Sequence, residues 1–212
     1  MKPARRTQAD RTAHTRAALI TAARALFADR GFAGVGTEVI VAEAAVSRGA
    51  LYHHFGDKTE LFAAVLAEVE ADVTAKLAAV VPADGSGDFV EVMVHSIEAW
   101  LDACESPEVQ RIVLIDGPSV LGWSRWRDIC QPHILGLIET VLAQGVADGT
   151  LAPLPVKPLA HILLAVADEA ALYVDAAQDS PAARRDIVAI VRPLLEALVQ
   201  SPDHPREPSV PR

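Results

Sequence analysis

The chain has 212 residues, of which 51% are hydrophobic and 5% aromatic, and its formal net charge at pH 7 is −9. This length can bury a substantial core and suits one or two domains. Two cysteines without a CxxC pattern argue against a disulfide-stapled domain, and no apolar stretch is long enough to cross a membrane. The first residues are polar and basic without an apolar core, so we expect no secretion signal and a cytoplasmic location.

Charge is distributed unevenly along the chain. Residues 1–60 contain nine Lys/Arg and six Asp/Glu, giving +3, whereas residues 61–212 contain ten and 22, giving −12. Affinity for a phosphate backbone follows local charge, so the acidic total does not argue against nucleic-acid binding by the first segment. Residues 1–14 form a basic arm, which is either a flexible solubilising tail or an arm that reaches phosphate or the minor groove. Its basic residues are Lys2, Arg5, Arg6 and Arg11.

Three helices are predicted before residue 57. Residues 16–30 carry one apolar stripe at helical spacing, and Gly31 is expected to end this helix. Thr37 is expected to cap a short second helix over residues 38–45, and Ser47 a short third helix.

The third predicted helix is the most informative segment. Leu51 and Phe55 lie four residues apart and can anchor one face in a core. The outward positions are left to Arg48, Gly49, Ala50, Tyr52, His53 and His54. Such a helix can lie in a major groove while its neighbours contact phosphate. Asp57 and Glu60 resemble a capping box for a long fourth helix to about residue 80, so the order of helices predicts a helix-turn-helix.

Residues 15–66 resemble the N-terminal DNA-binding domain of the TetR family of transcriptional regulators. The matching segments are AARALFADRGFAGVGTEVI at residues 22–40 and AAVSRGALYHHFGDKTELF at residues 44–62. Ala45 departs from the glycine that is usual in the turn, and alanine tolerates a left-handed backbone poorly. The stretch from Ile112 to Trp123 is similar to an "IDGP-VLGW" signature of one subgroup.

The resemblance implies an all-α fold and a ligand-responsive repressor that binds a palindromic double-stranded DNA operator as a homodimer. The expected parts are a basic arm (1–14), a helix-turn-helix domain (15–60), a helical effector-binding and dimerisation domain (61–200) and a disordered tail (201–212). The expected DNA-binding residues are Thr37, Ser47, Arg48, Gly49, Ala50, Tyr52, His53, His54 and Lys58. Arg48 suits the O6/N7 edge of guanine, and Ala50 a thymine methyl group.

Beyond the first domain, the pattern predicts a loop at residues 82–87 and five further helices. Their expected ranges are 88–104, 107–118, 120–147 with a kink at Pro132, 157–177 and 181–199. The last two are apolar on more than one face, so something besides their own packing has to cover them. A second copy of the chain, forming a four-helix bundle, is one solution, and other helices of the same chain are the alternative.

By resemblance, a small-molecule effector binds among the middle helices. The candidate ligand-binding residues are Met93, His95, Trp100, Trp123, Trp126, Cys130, His133, Asp168, Glu169 and Tyr173. For each tryptophan alone, the favoured interpretation is a core residue. Asp168 and Glu169 interrupt an apolar helix, so they pair with an arginine (Arg111, Arg125 or Arg127), bind a ligand group, or are simply exposed.

Sequence motifs for catalysis are missing. We find no GxSxG, HExxH, P-loop or GxGxxG pattern, so we expect neither an enzyme nor a cofactor. The adjacent His53 and His54 point about 100° apart on a helix and cannot chelate one metal well, so no metal site is expected. The alternative function is a helical protein-interaction or architectural DNA-binding module without an effector.

Overall fold

The computed structural model describes residues 7–81, 87–130 and 134–200. Within these ranges the chain is helical, and the only β-type pairing is an isolated antiparallel bridge between Leu151 and Val199. The all-α prediction is therefore confirmed. The chain divides into two compact units, one formed by residues 1–75 and 102–134 and the other by residues 76–101 and 135–212.

The first helix, α1 (Gln8–Arg30), begins eight residues earlier than predicted. Thr7 and Asp10 form a reciprocal capping box, with Asp10 N donating to Thr7 Oγ1 at 3.2 Å and Thr7 N donating to Asp10 Oδ2 at 2.9 Å. Residues 8–14, predicted as part of a flexible arm, are thus helical in the structure. Lys2, Arg5 and Arg6 lie outside the described residues.

The helix-turn-helix follows as α2 (Thr37–Glu43) and α3 (Arg48–Phe55), with α4 (Lys58–Ala78) behind them. Gly31 ends α1 with a positive φ of 70°, as expected, and the Phe32 ring then packs 5.7 Å from that of Phe27. The core of this unit consists of fully or almost fully buried apolar residues from α1 to α4. They include Leu19, Ile20, Phe27, Ile40, Leu51, Leu61, Phe62 and Leu66.

The first unit is completed by a chain of short helices. These are α6 (Pro107–Val109), a π-helix (Gln110–Asp116), α7 (Gly117–Leu121) and α8 (Trp123–Cys130). The single helix predicted over residues 120–147 is wrong, because Gly122 adopts a positive φ of 76° and separates α7 from α8. Pro132, the predicted kink, lies outside the described residues.

The second unit contains most of α5 (Phe89–Cys104), together with α9 (Gly136–Ala147), α10 (Val156–Ala176) and α11 (Ser180–Glu196). Asp179 caps α11 by accepting a hydrogen bond from Ala182 N at 2.9 Å. Trp100 ties α5 to α10, since its Nε1 donates to the Ala167 carbonyl at 3.1 Å. The predicted bounds of α5, α10 and α11 agree with the structure to within three residues.

No helix among the described residues has the length and apolar character needed to cross a membrane. The predicted loop at 82–87 falls mostly outside the described residues, and the predicted tail at 201–212 does so entirely.

Candidate nucleic-acid interface

The short helix α3 is held from one side and open on the other. Leu51 is fully buried and Phe55 is 9% exposed, so the predicted pair anchors the helix. Ser47 caps it by accepting a hydrogen bond from Ala50 N at 3.2 Å. The outward residues Arg48, Gly49, Tyr52 and His53 are exposed, and Ala50 and His54 are half-buried. The local chemistry of the sequence thus presents a row of small and hydrogen-bonding side chains to solvent.

Arg48, the predicted base reader, contacts two neighbouring side chains. Its Nη2 donates to the Tyr52 hydroxyl at 3.3 Å, and its Nη1 lies 3.2 Å from Glu38 Oε1. The hydrogen bond to Tyr52 is the main cause of a raised Arg48 pKa, and the Glu38 charge adds to it. The guanidinium also lies over the Tyr52 ring, 5.5 Å from its centroid. Arg48 thus contacts residues of both α2 and α3.

Thr37 does not cap α2. Gly36 is the N-cap and makes no side-chain hydrogen bond, and Thr37 is the first helical residue. The Thr37 side chain instead hydrogen-bonds Tyr52, which contributes, after the Arg48 hydrogen bond, to a lowered Tyr52 pKa. Thr37, Arg48 and Tyr52 were predicted separately as DNA-contacting residues, and the structure brings them together at the junction of α2 and α3.

The turn between α2 and α3 contains Ala45, the position where the sequence differs from the usual glycine. Ala45 has a φ of 53° and is the one non-glycine residue with positive φ in the described chain. An L-residue in this region is strained relative to glycine. The turn therefore keeps its left-handed geometry with alanine in place of the usual glycine.

Lys58, predicted to bind phosphate, makes internal contacts. Its Nζ donates to the carbonyls of Phe32 and Val35, both at 2.9 Å, and lies 3.9 Å from the Phe32 ring centroid. Burial lowers the pKa of the Lys58 ammonium, and the negative charge of Asp116 opposes that shift. Two of its three N–H groups are thus engaged, and the side chain is only half-buried.

The two histidines of α3 have different surroundings. His53 is exposed, whereas His54 is half-buried, and their ring centroids are 5.5 Å apart in an edge-on arrangement. Among the described residues no cluster of three His, Cys, Asp or Glu side chains could hold a metal ion.

The candidate effector residues fall into different parts of the fold. Met93 and Trp100 are buried in the second unit, and His95 on the same helix is exposed. Trp126 and Cys130 are buried in the first unit. His133 lies outside the described residues.

The two tryptophans of the "IDGP-VLGW" region differ from each other. Trp123 is 61% exposed, whereas Trp126 is 7% exposed, although their ring centroids are only 4.9 Å apart. A Cβ at Gly117 would lie 2.6 Å from Trp126 Cδ1, so the glycine of this motif makes room for the indole. Trp126 Nε1 is buried and has no hydrogen-bond partner among the described residues.

Glu169 and Tyr173 line an apolar groove between α10 and α11, with a volume of about 500 Å³. Asp168, next to them, is half-buried. Two of the three arginines considered as its partners are engaged elsewhere. Arg125 forms a bidentate ion pair with Glu60, with N–O distances of 2.7 and 2.6 Å. Arg111 donates to the Asp29 carbonyl at 3.0 Å.

Glu70 and Thr74 were missed by the sequence reasoning. Glu70 is 1% exposed on α4, and Thr74 Oγ1, one turn later, is buried without a hydrogen-bond partner among the described residues. Helical spacing could have predicted that Glu70 is buried, because it comes four residues after buried Leu66 and three before buried Val73.

Comparison with known proteins identifies both parts of the chain. Residues 19–65 match the family described as bacterial regulatory proteins, tetR family, and residues 90–198 match the tetracyclin repressor-like C-terminal domain. The HTH-type transcriptional regulator CymR of Pseudomonas putida is 36% identical over 121 residues, which are 55% of this chain and 58% of CymR. The chain thus aligns with little more than half the length of this curated relative.

Solved structures extend the similarity to the whole fold. A TetR-family transcriptional regulator from Pectobacterium atrosepticum is 34% identical with a TM-score of 0.76, covering 93% of this chain and 100% of that one. RolR in complex with resorcinol is 21% identical with a TM-score of 0.69, covering 88% and 90% of the two chains, and shares the fold.

Proposed function

Since the chain belongs to the TetR family of bacterial regulatory proteins, we propose that it is a ligand-responsive repressor that binds a near-palindromic DNA operator. The observation that carries this proposal is the geometry of α3. The helix is capped by Ser47 and anchored by Leu51, with Arg48 and Tyr52 on its exposed face. A helix supported in this way can enter a major groove without losing its packing. DNA binding places its action in the cytoplasm.

The polar residues around α3 divide into two roles. Arg48 reads a base, because its planar guanidinium fits the O6/N7 edge of guanine, and Ala50 contacts a thymine methyl group. Thr37, Tyr52, His53 and Lys58 contact phosphate. Lys58 can do so with the one N–H that is not donated to the Phe32 and Val35 carbonyls.

A homodimer is supported by the exposed apolar surface of α10 and α11. Four large apolar residues there are more than half exposed: Ile162, Tyr173, Ile190 and Leu194. They all line the same groove, and its mostly apolar lining suits a second copy of these helices. Two recognition helices in a two-fold dimer would read half-sites about 34 Å apart.

The effector we propose is a small, largely apolar organic molecule with a few hydrogen-bonding groups. Trp126 Nε1 and Thr74 Oγ1 are buried polar atoms that find no hydrogen-bond partner within the described part of the chain, and leaving such atoms unsatisfied costs about 1–3 kcal/mol each. A ligand that supplies those partners would bind preferentially to the conformation in which they are buried. The fold accommodates a molecule of this kind, since RolR was solved with resorcinol.

Selection of binding sites from a random double-stranded DNA library tests the DNA-binding part of this proposal. We expect the full chain to enrich a sequence with two-fold symmetry and half-sites about one helical turn apart. Enrichment of no sequence, with uniform binding to all duplexes, would point to an architectural DNA-binding module instead.

Titration of small phenols, starting with resorcinol, tests the effector part. Tryptophan fluorescence should change on binding, and the selected duplex should be released. Trp126→Phe and Thr74→Val should weaken binding by about tenfold each, because each removes one hydrogen-bonding atom. Trp123→Phe is the matched control, since Trp123 is exposed. Equal effects of all three substitutions would place the effector elsewhere.

A further inference from the structure

Residues 108–116, which lead into the "IDGP" motif, make three polar contacts with the last two turns of α1 and with Phe32 just after it. Glu108 accepts two hydrogen bonds from Arg24, at 2.6 and 2.8 Å. Arg111 Nη1 donates to the Asp29 carbonyl at 3.0 Å. Asp116 Oδ2 accepts a hydrogen bond from the backbone N–H of Phe32 at 2.7 Å. Each of these contacts joins residues at least 82 positions apart in the sequence.

The π-helix explains why the last two contacts can form together. Arg111 and Asp116 are five residues apart, and five steps of an α-helix would turn their side chains about 140° away from each other. A π-helix is wound with i to i+5 hydrogen bonds, so residues five apart lie more nearly on one side. The seven residues Gln110–Asp116 adopt this winding, and both side chains reach the end of α1.

Asp116 and Lys58 bind the two backbone polar groups of one residue, Phe32. Asp116 accepts the N–H of Phe32, and Lys58 donates to its carbonyl and to that of Val35. The approach is close, because a Cβ at Gly31 would lie 3.3 Å from Asp116 Oδ2. The Phe32 ring is fixed as well, 5.3 Å from that of Phe62. The loop between α1 and α2 is therefore clamped at both ends of one residue.

This loop sets the start of α2. Val35 is 1% exposed, and Gly36 is the N-cap of α2, directly before Thr37. We infer that Asp116 is a positioning residue for operator binding: its carboxylate fixes the Phe32 peptide and so places the N-terminus of α2 against DNA. The inference rests on the proposed function. It makes operator affinity depend on a side chain that itself does not touch DNA.

Simple electrostatics predicts the opposite effect. Removing a negative charge from the unit that binds DNA should strengthen binding to phosphate, because affinity follows the local net charge. A positioning role predicts a loss instead, because the geometry of the contacts deteriorates. Whether DNA affinity rises or falls when the Asp116 carboxylate is removed therefore distinguishes the two explanations.

The experiment uses a duplex selected from a random library with the wild-type chain, and a scrambled duplex of the same composition. Asp116→Ala should weaken binding to the selected duplex about tenfold and leave the slope of log K against log salt unchanged. Asp116→Asn should restore most of this affinity, since its amide oxygen can still accept the Phe32 N–H. Asp128→Ala, at an exposed acidic position of the same unit, is the matched control and should not weaken binding.

Hydrogen exchange supplies a second measurement that needs no variant. In the wild-type chain the Phe32 amide should exchange more slowly than the amides of Ala33 and Gly34. Fast exchange of Phe32, or unchanged or tighter operator binding by Asp116→Ala, would overturn the inference. A loss that Asp116→Asn does not relieve would also overturn it. If the wild-type chain selects no sequence, the proposed function fails, whereas slow exchange of the Phe32 amide would still support the clamp itself.

Discussion

The exposed face of α3 and the exposed face of α10 and α11 offer different chemistry to solvent. On α3, Arg48 donates to the Tyr52 hydroxyl and lies 3.2 Å from Glu38 Oε1, so part of its hydrogen-bonding capacity is used within the protein. On α10 and α11, Ile162, Tyr173, Ile190 and Leu194 are between 56% and 59% exposed and line an apolar groove. The polar side chains of the α3 face are compatible with water, whereas the α10–α11 face leaves large apolar side chains in contact with water.

The difference indicates two kinds of partner. A polar face whose groups bond to one another can exchange those bonds for contacts to DNA and recover them on release, which suits reversible binding. An apolar groove gains free energy from being covered, at about 25 cal/mol for each Å² removed from water, which suits a lasting interface. Substitutions confined to one face should therefore affect only the corresponding partner.

The largest effect is expected from charges placed in the groove. Leu194→Glu combined with Ile190→Glu would bury two unpartnered carboxylates in the proposed dimer seam. Light scattering should then show monomers, and affinity for the selected duplex should fall about 100-fold, because the second half-site no longer adds to the first. Ala189→Glu, exposed on the same helix, is the control.

If the chain with both substitutions still forms a stable dimer, the dimer interface lies on another surface. Leu198 is a less suitable position for such a charge. It is half-buried within the single chain, so a charge at that position would perturb folding as well as assembly.

A smaller effect is expected for the base-reading arginine. Arg48→Ala should cost about 1–3 kcal/mol of operator binding and relax the base preference at one position of each half-site. Binding to a set of single-base operator variants measures this. Arg185→Ala, an exposed arginine of the second unit, serves as the control. A uniform loss across all operator variants would assign Arg48 to phosphate contacts.

The smallest effect is expected for Lys58. Lys58→Ala should lower the salt slope by about one unit on the selected and scrambled duplexes alike, if its remaining N–H binds a phosphate. Because the substitution also removes the hydrogen bonds to the Phe32 and Val35 carbonyls, affinity for the selected duplex should fall somewhat more than affinity for the scrambled one. Lys76→Ala, exposed on the same helix, should change neither quantity. An unchanged slope for Lys58→Ala would restrict Lys58 to its hydrogen bonds with the Phe32 and Val35 carbonyls.

Local rules predicted much of the fold from sequence. Ser47 caps α3, Gly31 ends α1, and the Leu51–Phe55 pair decides which side of α3 is exposed, because these effects act within four residues. The start of α1 at Gln8 also depends on an interaction within four residues. The Thr7–Asp10 capping box was readable in the sequence and was overlooked.

The sequence alone determined that the chain is all-helical, where the helix-turn-helix lies, and which residues of α3 face solvent. Only the tertiary structure decided the long-range polar contacts. Asp57 accepts the Glu60 N–H at 2.8 Å, as the predicted capping box requires, but the Glu60 side chain pairs with Arg125, 65 residues away. Asp116 reaches Phe32 across 84 residues. The physical reason is that helix caps and apolar stripes depend on neighbours within about one or two turns, whereas a charged side chain pairs with whatever folding brings within about 3 Å.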